Sequence, residues 1–312
     1  MTLNKKKIFF LSGKRGGYDA MLPLLKKLSN YKNIDFKIIL TDQHLLKNFG
    51  STYKIVEKNF NKKKIIKLQL KQKNSSYKSR LYSMSNLLKQ LTSVLIKFKP
   101  DLFIVYGDRA ESSIAAFTCV NLNIPICHFQ GGDLSGNIDE KLRHSITKMS
   151  DLHFASNKMS KKRIIQMGEN HKYVFNIGDN HIDSLKKIRL NKENIFKKYF
   201  LNKNEEYCVL LLHPDGTSKK RNKHYIDIVI KALSYFKIRV FCIFPCTDIG
   251  YESIVDSLKK ISKINKNFKV FSNLIYSDFI NLIKFSRFFI GNSSSGIIES
   301  PYLKTPFLNL GN

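Results

Sequence analysis

No apolar run in this chain of 312 residues approaches the ~18 consecutive positions of a membrane-spanning helix. Near the start, the apolar stretch Ile8 to Leu11 follows Lys5-Lys6-Lys7 but is too short for the core of a signal peptide, and reads as a first β-strand. Cysteine is sparse: five residues, an odd number with no paired spacing, argue against a disulfide framework or a zinc site. Cys119, Cys127, Cys208 and Cys242 sit inside apolar runs as small core residues. Together these features set the expectation of a cytoplasmic protein that neither enters a membrane nor binds a metal. Acidic residues are also few, 24 against 54 Lys and Arg, for a formal net charge of +30. Such a balance raises nucleic-acid binding. The lysines, however, are spread along the whole chain and mingle with Asn and Ile, so runs such as Lys62-Lys63-Lys64 read as solvated faces and no nucleic-acid partner is expected. The excess would still steer an anionic small ligand toward the surface.

What is present is a regular alternation. Strand candidates are Lys7–Ser12, Phe36–Thr41, Leu102–Gly107, Ile124–Phe129, Leu152–Ala155 and Val174–Ile177, then Tyr207–His213, Arg239–Phe244, Phe268–Phe271, Phe288–Gly291 and Pro306–Leu310. Helix candidates lie near 18–30, 79–98, 109–122, 137–150, 157–168, 223–236, 251–264, 277–285 and 296–303. Near-continuous apolar strands separated by helices predict parallel sheets covered on both faces. The pattern restarts after residue 180, with the Lys- and Asn-rich stretch 185–205 as connection. The expected class is α/β: two Rossmann-like domains, 1–180 and 181–312.

Polar residues collect where strands end, the usual ligand edge of an open α/β sheet. Ser12-Gly13-Lys14-Arg15-Gly16-Gly17 follows the first strand, but is neither a Walker A loop nor GxGxxG; a ligand loop and a plain tight turn both remain open. Asp108 follows Gly107 and could be the N-cap of the next helix, worth roughly 1 kcal/mol. Arg109 beside it suits a phosphate or carboxylate, because a guanidinium contacts anions in two-pronged fashion. Asp139 and Arg143 are spaced to share a helix face, as are Glu140 and His144; surface pairs and a site both fit. His128, Gln130 and the Gly131-Gly132 turn favour a site. Asp108 and Asp139 could form a general acid/base pair if their loops converge. His213 ends a central strand. Gly291-Asn292-Ser293-Ser294-Ser295-Gly296 with Glu299 reads as an anion cradle at a helix start, against a serine cap with a capping-box glutamate.

These blocks, in this order and over nearly the whole chain, resemble the UDP-N-acetylglucosamine 2-epimerase family, non-hydrolysing and hydrolysing, and above all the hydrolysing enzymes of sialic and legionaminic acid synthesis. The resemblance is carried by Gly107-Asp108-Arg109, by 128–154, by His213-Pro214-Asp215 and by 291–300. Pro245-Cys246-Thr247-Asp248-Ile249-Gly250 is similar to the family's P-N-x-D-x-G loop, with Cys246 in place of Asn. The resemblance implies a GT-B fold, UDP held mainly by the C-terminal domain, no cofactor, and a homodimer. It implies a UDP-sugar substrate, UDP-N-acetylglucosamine or UDP-N,N'-diacetylbacillosamine, converted through a 2-acetamidoglucal to UDP and the free 2-epimer. Asp108 and Asp139 would be acid and base, with Gln130 and His213 also at the chemistry. Ser293, Ser294 and His213 would contact the diphosphate, Glu299 the ribose, and Arg15 and Arg109 the nucleotide. His128, Arg143, His144 and Asp248 complete the expected contacts. Where the family often has a catalytic Glu this chain has Gln130, which cannot move a proton. The family also continues past the sequence equivalent to Leu308-Asn309-Leu310-Gly311-Asn312, with an Arg-containing loop and further helices, so a longer chain is expected. A GT-B glycosyltransferase and a non-catalytic UDP-sugar binder are the rival readings.

Overall fold

The computed structural model describes residues 5–136, 138–216 and 218–311. Residue 137, the expected start of the fourth helix, and Asn312 lie outside the described residues. The chain divides into two compact units, one of Met1–Lys47, Ser51–Lys73 and Lys78–Asp183, the other of Asn48–Gly50, Asn74–Tyr77 and Ser184–Asn312. The division falls a few residues after the expected one at 180, and the second unit takes in two short stretches of the first half.

In the first unit, β1 (Lys6–Ser12), β2 (Ile34–Leu40), β3 (Ile65–Lys67), β4 (Leu102–Tyr106), β5 (Ile126–Phe129), β6 (Leu152–Ala155) and β7 (Val174–Asn176) form one sheet in the order β3-β2-β1-β4-β5-β6-β7. Every pair is parallel. Side chains alternate across a strand, so a run apolar at every position feeds two cores. Along β1, Phe9 and Leu11 enter a cluster with Leu87, Leu91 and Leu95 of α3 (Tyr77–Phe98) and Ala115, Ala116 and Cys119 of α4 (Ala110–Asn121). Phe10, between them, enters the opposite cluster with Tyr18, Met21 and Leu25 of α1 (Arg15–Asn30). Each of these fully buried Phe, Leu and Met side chains contributes on the order of 1.5–3 kcal/mol. The helices α2 (Tyr53–Asn59), α5 (Ile138–Lys148) and α6 (Lys158–Gln166) also belong to this unit, and α7 (Asn180–Leu185) runs across the division into the second.

The second unit repeats the plan. β8 (Tyr207–Leu211), β9 (Arg239–Ile243), β10 (Phe268–Phe271), β11 (Phe288–Gly291) and β12 (Phe307–Asn309) form a parallel sheet in the order β10-β9-β8-β11-β12. Tyr207, Val209 and Leu211 face one core with α8 (Lys192–Lys198) and α11 (Tyr276–Phe285), while Cys208 and Leu210 face another with α9 (Lys219–Ser234) and α10 (Tyr251–Ile264). The last helix, α12 (Ser295–Leu303), links β11 to β12. Among the described residues no helix is long and apolar enough to cross a membrane.

Three expectations change. The stretch 185–205 is not mere connection: α8 lies within it and buries Ile195 and Phe196 in the sheet's core. The short β3 and α2 were not expected at all. The last strand, expected over Pro306–Leu310, spans Phe307–Asn309 and is at the sheet's edge among the described residues, with Leu308 half exposed.

In both sheets the strand order reverses beside the first strand, between β1 and β4 and between β8 and β11. At such a reversal the connections run to opposite faces of the sheet, which in open α/β sheets is the usual place for a ligand. In the second unit this geometry is set by Gly291, whose φ of +150° brings β11 so near β8 that a β-carbon would collide with the Leu211 carbonyl. Gly291→Ala should lower unfolding stability by at least about 2 kcal/mol from strain and collision. Urea melts would show a lower midpoint; a midpoint equal to wild type would refute the close-approach argument.

Candidate functional site

In the first unit, the loop after β4 and the loop after β5 are tied by one guanidinium. Arg143 of α5 is buried and ion-paired with Asp108, and it also donates to the Asp133 carbonyl (2.7 Å) and to Ser135 Oγ (3.3 Å). Asp108 is therefore not the N-cap of α4; that position is Arg109, which makes no side-chain cap bond. Glu140 accepts from the Ser135 and Gly136 amides at 2.7 and 2.8 Å, closing the start of α5. Asp139 lies half-buried in the same first turn. His144, one turn on, is partly buried, which lowers its pKa, and its Nδ1 has no hydrogen-bond partner.

The glycine turn is a packing requirement. Gly132 has φ +83°, and a β-carbon there would strike the Ser160 backbone. Its carbonyl accepts from Arg163, and the Asp133 carboxylate next to it accepts from Ser160, Ser156 and Asn157. His128, expected among substrate contacts, is instead enclosed. Its Nε2 donates to the Gly107 carbonyl at 2.8 Å and its Nδ1 lies 3.2 Å from Thr147 Oγ1. It holds β5 to the loop after β4.

The arginines expected at the nucleotide meet protein carboxylates. Arg15 pairs with Asp19 at 2.8 Å, one helical turn on. Arg109 pairs with Asp42 at 3.0 Å and Glu111 at 3.2 Å, and Arg80 pairs with Glu111 at 3.0 Å. The Arg109 guanidinium is thus already held by two carboxylates of the chain itself. Burial pulls the Glu111 carboxyl up, but Arg109 and Arg80 outweigh it and hold it well below the usual range. Gly13, in the loop after β1, packs on that same carboxylate.

Gln130 has a left-handed backbone, φ +60°, and its Nε2 donates to Asp179 Oδ2 at 2.8 Å. Asp179 follows β7 and also accepts from the His181 backbone amide and ring Nδ1, both at 2.8 Å. The Tyr106 hydroxyl lies 3.3 Å from the same ring nitrogen. Asp179 and His181 were not among the residues expected at a site. The signal existed: Gly178-Asp179 after an apolar strand repeats the pattern of Gly107-Asp108.

In the second unit, His213 and Asn292 clamp β8 to β11 across the point where the strand order reverses. Asn292 Oδ1 accepts from the His213 amide at 2.7 Å, and its Nδ2 donates to the His213 carbonyl at 3.0 Å. The Cys246 amide donates to His213 Nδ1 at 3.1 Å, so the ring carries its proton on Nε2. At the start of α12, Ser293 is buried with its Oγ accepting from the Ser295 amide at 3.3 Å, while Ser294 is exposed. Ser294 occupies the N-cap without a side-chain cap bond, so the capping-box reading of Ser and Glu299 fails. Glu299 is buried, with the Tyr276 hydroxyl 3.4 Å from its Oε1. Asp248 is half-buried in the loop before α10. Backbone amides, serine hydroxyls and an imidazole N–H at a helix start are an anion-binding set. Among the described residues no group of three His, Cys, Asp or Glu could hold a metal.

A family model described as UDP-N-acetylglucosamine 2-epimerase matches residues 26–312. The chain belongs to this family. The epimerase chain is 34% identical to GDP/UDP-N,N'-diacetylbacillosamine 2-epimerase (hydrolyzing) of Campylobacter jejuni, with 99% of this chain and 81% of the relative covered. It is 35% identical to polysialic acid biosynthesis protein P7 of Escherichia coli, covering 98% and 78%. The UDP-GlcNAc 2-epimerase of Neisseria meningitidis, solved bound to UDP-GlcNAc, shares the fold with a TM-score of 0.77 at 21% identity, covering 97% and 82%. The GT-B-like α/β class is thereby shown.

Two enclosed histidines give the epimerase chain an acid-sensitive fold. Burial pushes His128 down to about 4 and His44 down to about 3, from an ordinary 6.5. His44 sits between Ser12 Oγ (2.9 Å) and Thr52 Oγ1 (2.8 Å). Both rings are neutral when folded, whereas the unfolded chain protonates them near 6.5. Below that pH the unfolded state binds more protons, so stability falls as pH drops from about 6.5 toward about 4. For His128 alone the loss is roughly 3 kcal/mol by pH 4. Urea unfolding at several pH values should show a smaller loss in His128→Gln than in wild type; the same slope in both would exclude His128 as a cause.

Proposed function

We propose that this chain is a hydrolysing 2-epimerase of a UDP-2-acetamido sugar, serving nonulosonic acid synthesis. The observation that carries the reading is the near full-length similarity to a hydrolysing diacetylbacillosamine 2-epimerase and to a polysialic acid biosynthesis protein. Within that frame Asp108 stands at the carboxyl end of β4 and the amide, hydroxyl and imidazole donors stand at the carboxyl ends of β8 and β11. UDP-N,N'-diacetylbacillosamine and UDP-N-acetylglucosamine are the substrates to test. The reading places the reaction in the cytoplasm and the chain in a homodimer.

In the proposed reaction a base takes the proton from C2 of the sugar. The C2–H electron pair forms the C1=C2 double bond, and the C1–O pair leaves on UDP. Water then adds: its oxygen bonds to C1, its proton goes to a base, and C2 receives a proton on the opposite face. The product is the free 2-epimer. His213 Nε2–H, Ser293, Ser294 and the start of α12 would stabilise the diphosphate, and Glu299 would accept from the ribose hydroxyls. Asp108 and Asp139 would serve as acid and base, with Arg143 setting the position of Asp108. Arg15, Arg109, His144 and Asp248 would act in substrate binding.

Turnover in D2O should leave deuterium at C2 of the released sugar, detected by mass spectrometry. Retention of the original hydrogen would sink the elimination route. Asp108→Asn should lower turnover by about 100-fold or more with UDP affinity largely kept. An Asn variant within a few-fold of wild type would remove Asp108 from the proton transfers.

His213→Ala and Glu299→Ala should each weaken UDP binding by roughly 1–3 kcal/mol, the cost of losing a hydrogen bond to a charged group. Calorimetric titration with UDP reads this directly. Unchanged affinity in both would put the nucleotide elsewhere.

A further inference from the structure

Gln130 poses a chemical problem that its surroundings answer. The proposed reaction moves three protons: off C2, onto C2 from the other face, and off the attacking water. An amide carries none of them. Yet Gln130 is fixed with unusual care. Its backbone is left-handed at φ +60°, a conformation that costs a non-glycine residue free energy and that surrounding structure must enforce. Its amide N–H donates to the Phe154 carbonyl at 2.9 Å, and its side chain reaches Asp179 Oδ2 at 2.8 Å.

Asp179 in turn orients His181. The carboxylate takes both the backbone amide and ring Nδ1 of His181, so Nδ1 holds the proton and Nε2 holds the lone pair. The arrangement is that of a carboxylate-fixed imidazole base. Burial raises the Asp179 pKa, but the His181 and Gln130 hydrogen bonds outweigh it and keep it below the usual value. The ring is 13% exposed and the carboxylate 18%, so the pair is held but open to solvent. Groups facing His181 include the Tyr106 hydroxyl of β4 and the Asp19 carboxylate of α1, which is itself paired with Arg15. All of these residues stand at the carboxyl end of the first sheet, with β1, β4, β5 and β7 each leading into one of them.

We propose that His181, oriented by Asp179, is the base that removes the C2 proton in this chain, and that Gln130 positions Asp179; this rests on the epimerase reading above. A neutral imidazole is a general base whose proton affinity suits transfer near neutral pH. As Nε2 takes the C2 proton, the C1–O bond breaks and UDP leaves with the electron pair. Imidazolium is the product of that step, and it returns its proton to solvent before the next turnover.

The test follows UDP release, C2 deuterium and sugar products for wild type, His181→Asn and Asp179→Asn, each with UDP-N-acetylglucosamine and UDP-N,N'-diacetylbacillosamine in D2O. Asn at 181 keeps an N–H for Asp179 but cannot accept the proton. His181→Asn should lower kcat for UDP release by about 100-fold or more, hold KM within a few-fold, and abolish the acidic limb of the pH profile. Asp179→Asn should lower kcat and shift that limb, the mark of a positioning residue, and it carries the test if His181→Asn melts early. A His181 variant within a few-fold of wild type, with the limb intact, overturns the proposal. So does UDP release at wild-type rate with the glycal accumulating, which would move His181 to the hydration step. Wild-type protein that releases no UDP from either sugar overturns the epimerase reading and this proposal together.

Discussion

The Arg143–Asp108 ion pair is the contact on which the first unit's site depends. Two loops leave adjacent strands, β4 and β5, and nothing in a parallel sheet forces them to stay together beyond the strand ends. Arg143 does so by reaching Asp108 on one loop and the Asp133 carbonyl and Ser135 hydroxyl on the other. His128, buried behind them, ties β5 to Gly107. Removing one partner of such a pair leaves a largely buried charge uncompensated, at about 3–5 kcal/mol. The guanidinium therefore cannot be traded for a lysine: its separate N–H groups serve several acceptors at once.

The two units solve the ligand-edge problem with different chemistry. In the first, arginines are matched by carboxylates: Arg15 by Asp19, Arg109 by Asp42 and Glu111, Arg80 by Glu111. The result is a charge-balanced floor at the strand ends, suited to holding titratable groups in place. In the second, the groups at the strand ends are largely neutral donors, an imidazole N–H, hydroxyls and backbone amides, set at the start of α12. Neutral donors carry no counter-charge of their own, so an anion is the complement they accept.

The net charge of +30 does not describe the site. The lysines lie mostly at exposed positions of both units, while Arg15, Arg109 and Arg143 at the strand ends of the first sheet stand inside ion pairs. Bulk charge acts on approach of an anionic ligand, and local pairing decides what happens on arrival.

The amino-acid order by itself determined the α/β class, most of the strands and most of the helices. The reason is the uniform apolarity of β1, β4, β5, β8 and β9, which only a sheet buried on both faces satisfies, as Phe9 and Phe10 show by entering opposite cores. It also marked Asp108, His213 and the Ser293–Ser294 segment, because a glycine or a polar residue at the end of an apolar run is visible locally. The short β3 and α2, and α8 among Lys and Asn, carried too few apolar positions to show a period. Only the tertiary structure decided the partners. Arg143 lies 35 residues from Asp108, Gln130 lies 49 from Asp179, and Asn292 lies 79 from His213. Side-chain spacing along a helix or strand reports neighbours a few residues apart, whereas these pairs are made by the order in which parallel strands are laid beside one another. Sheet order therefore turned Arg109 inward to carboxylates, enclosed His128, and set an aspartate and a histidine beside Gln130.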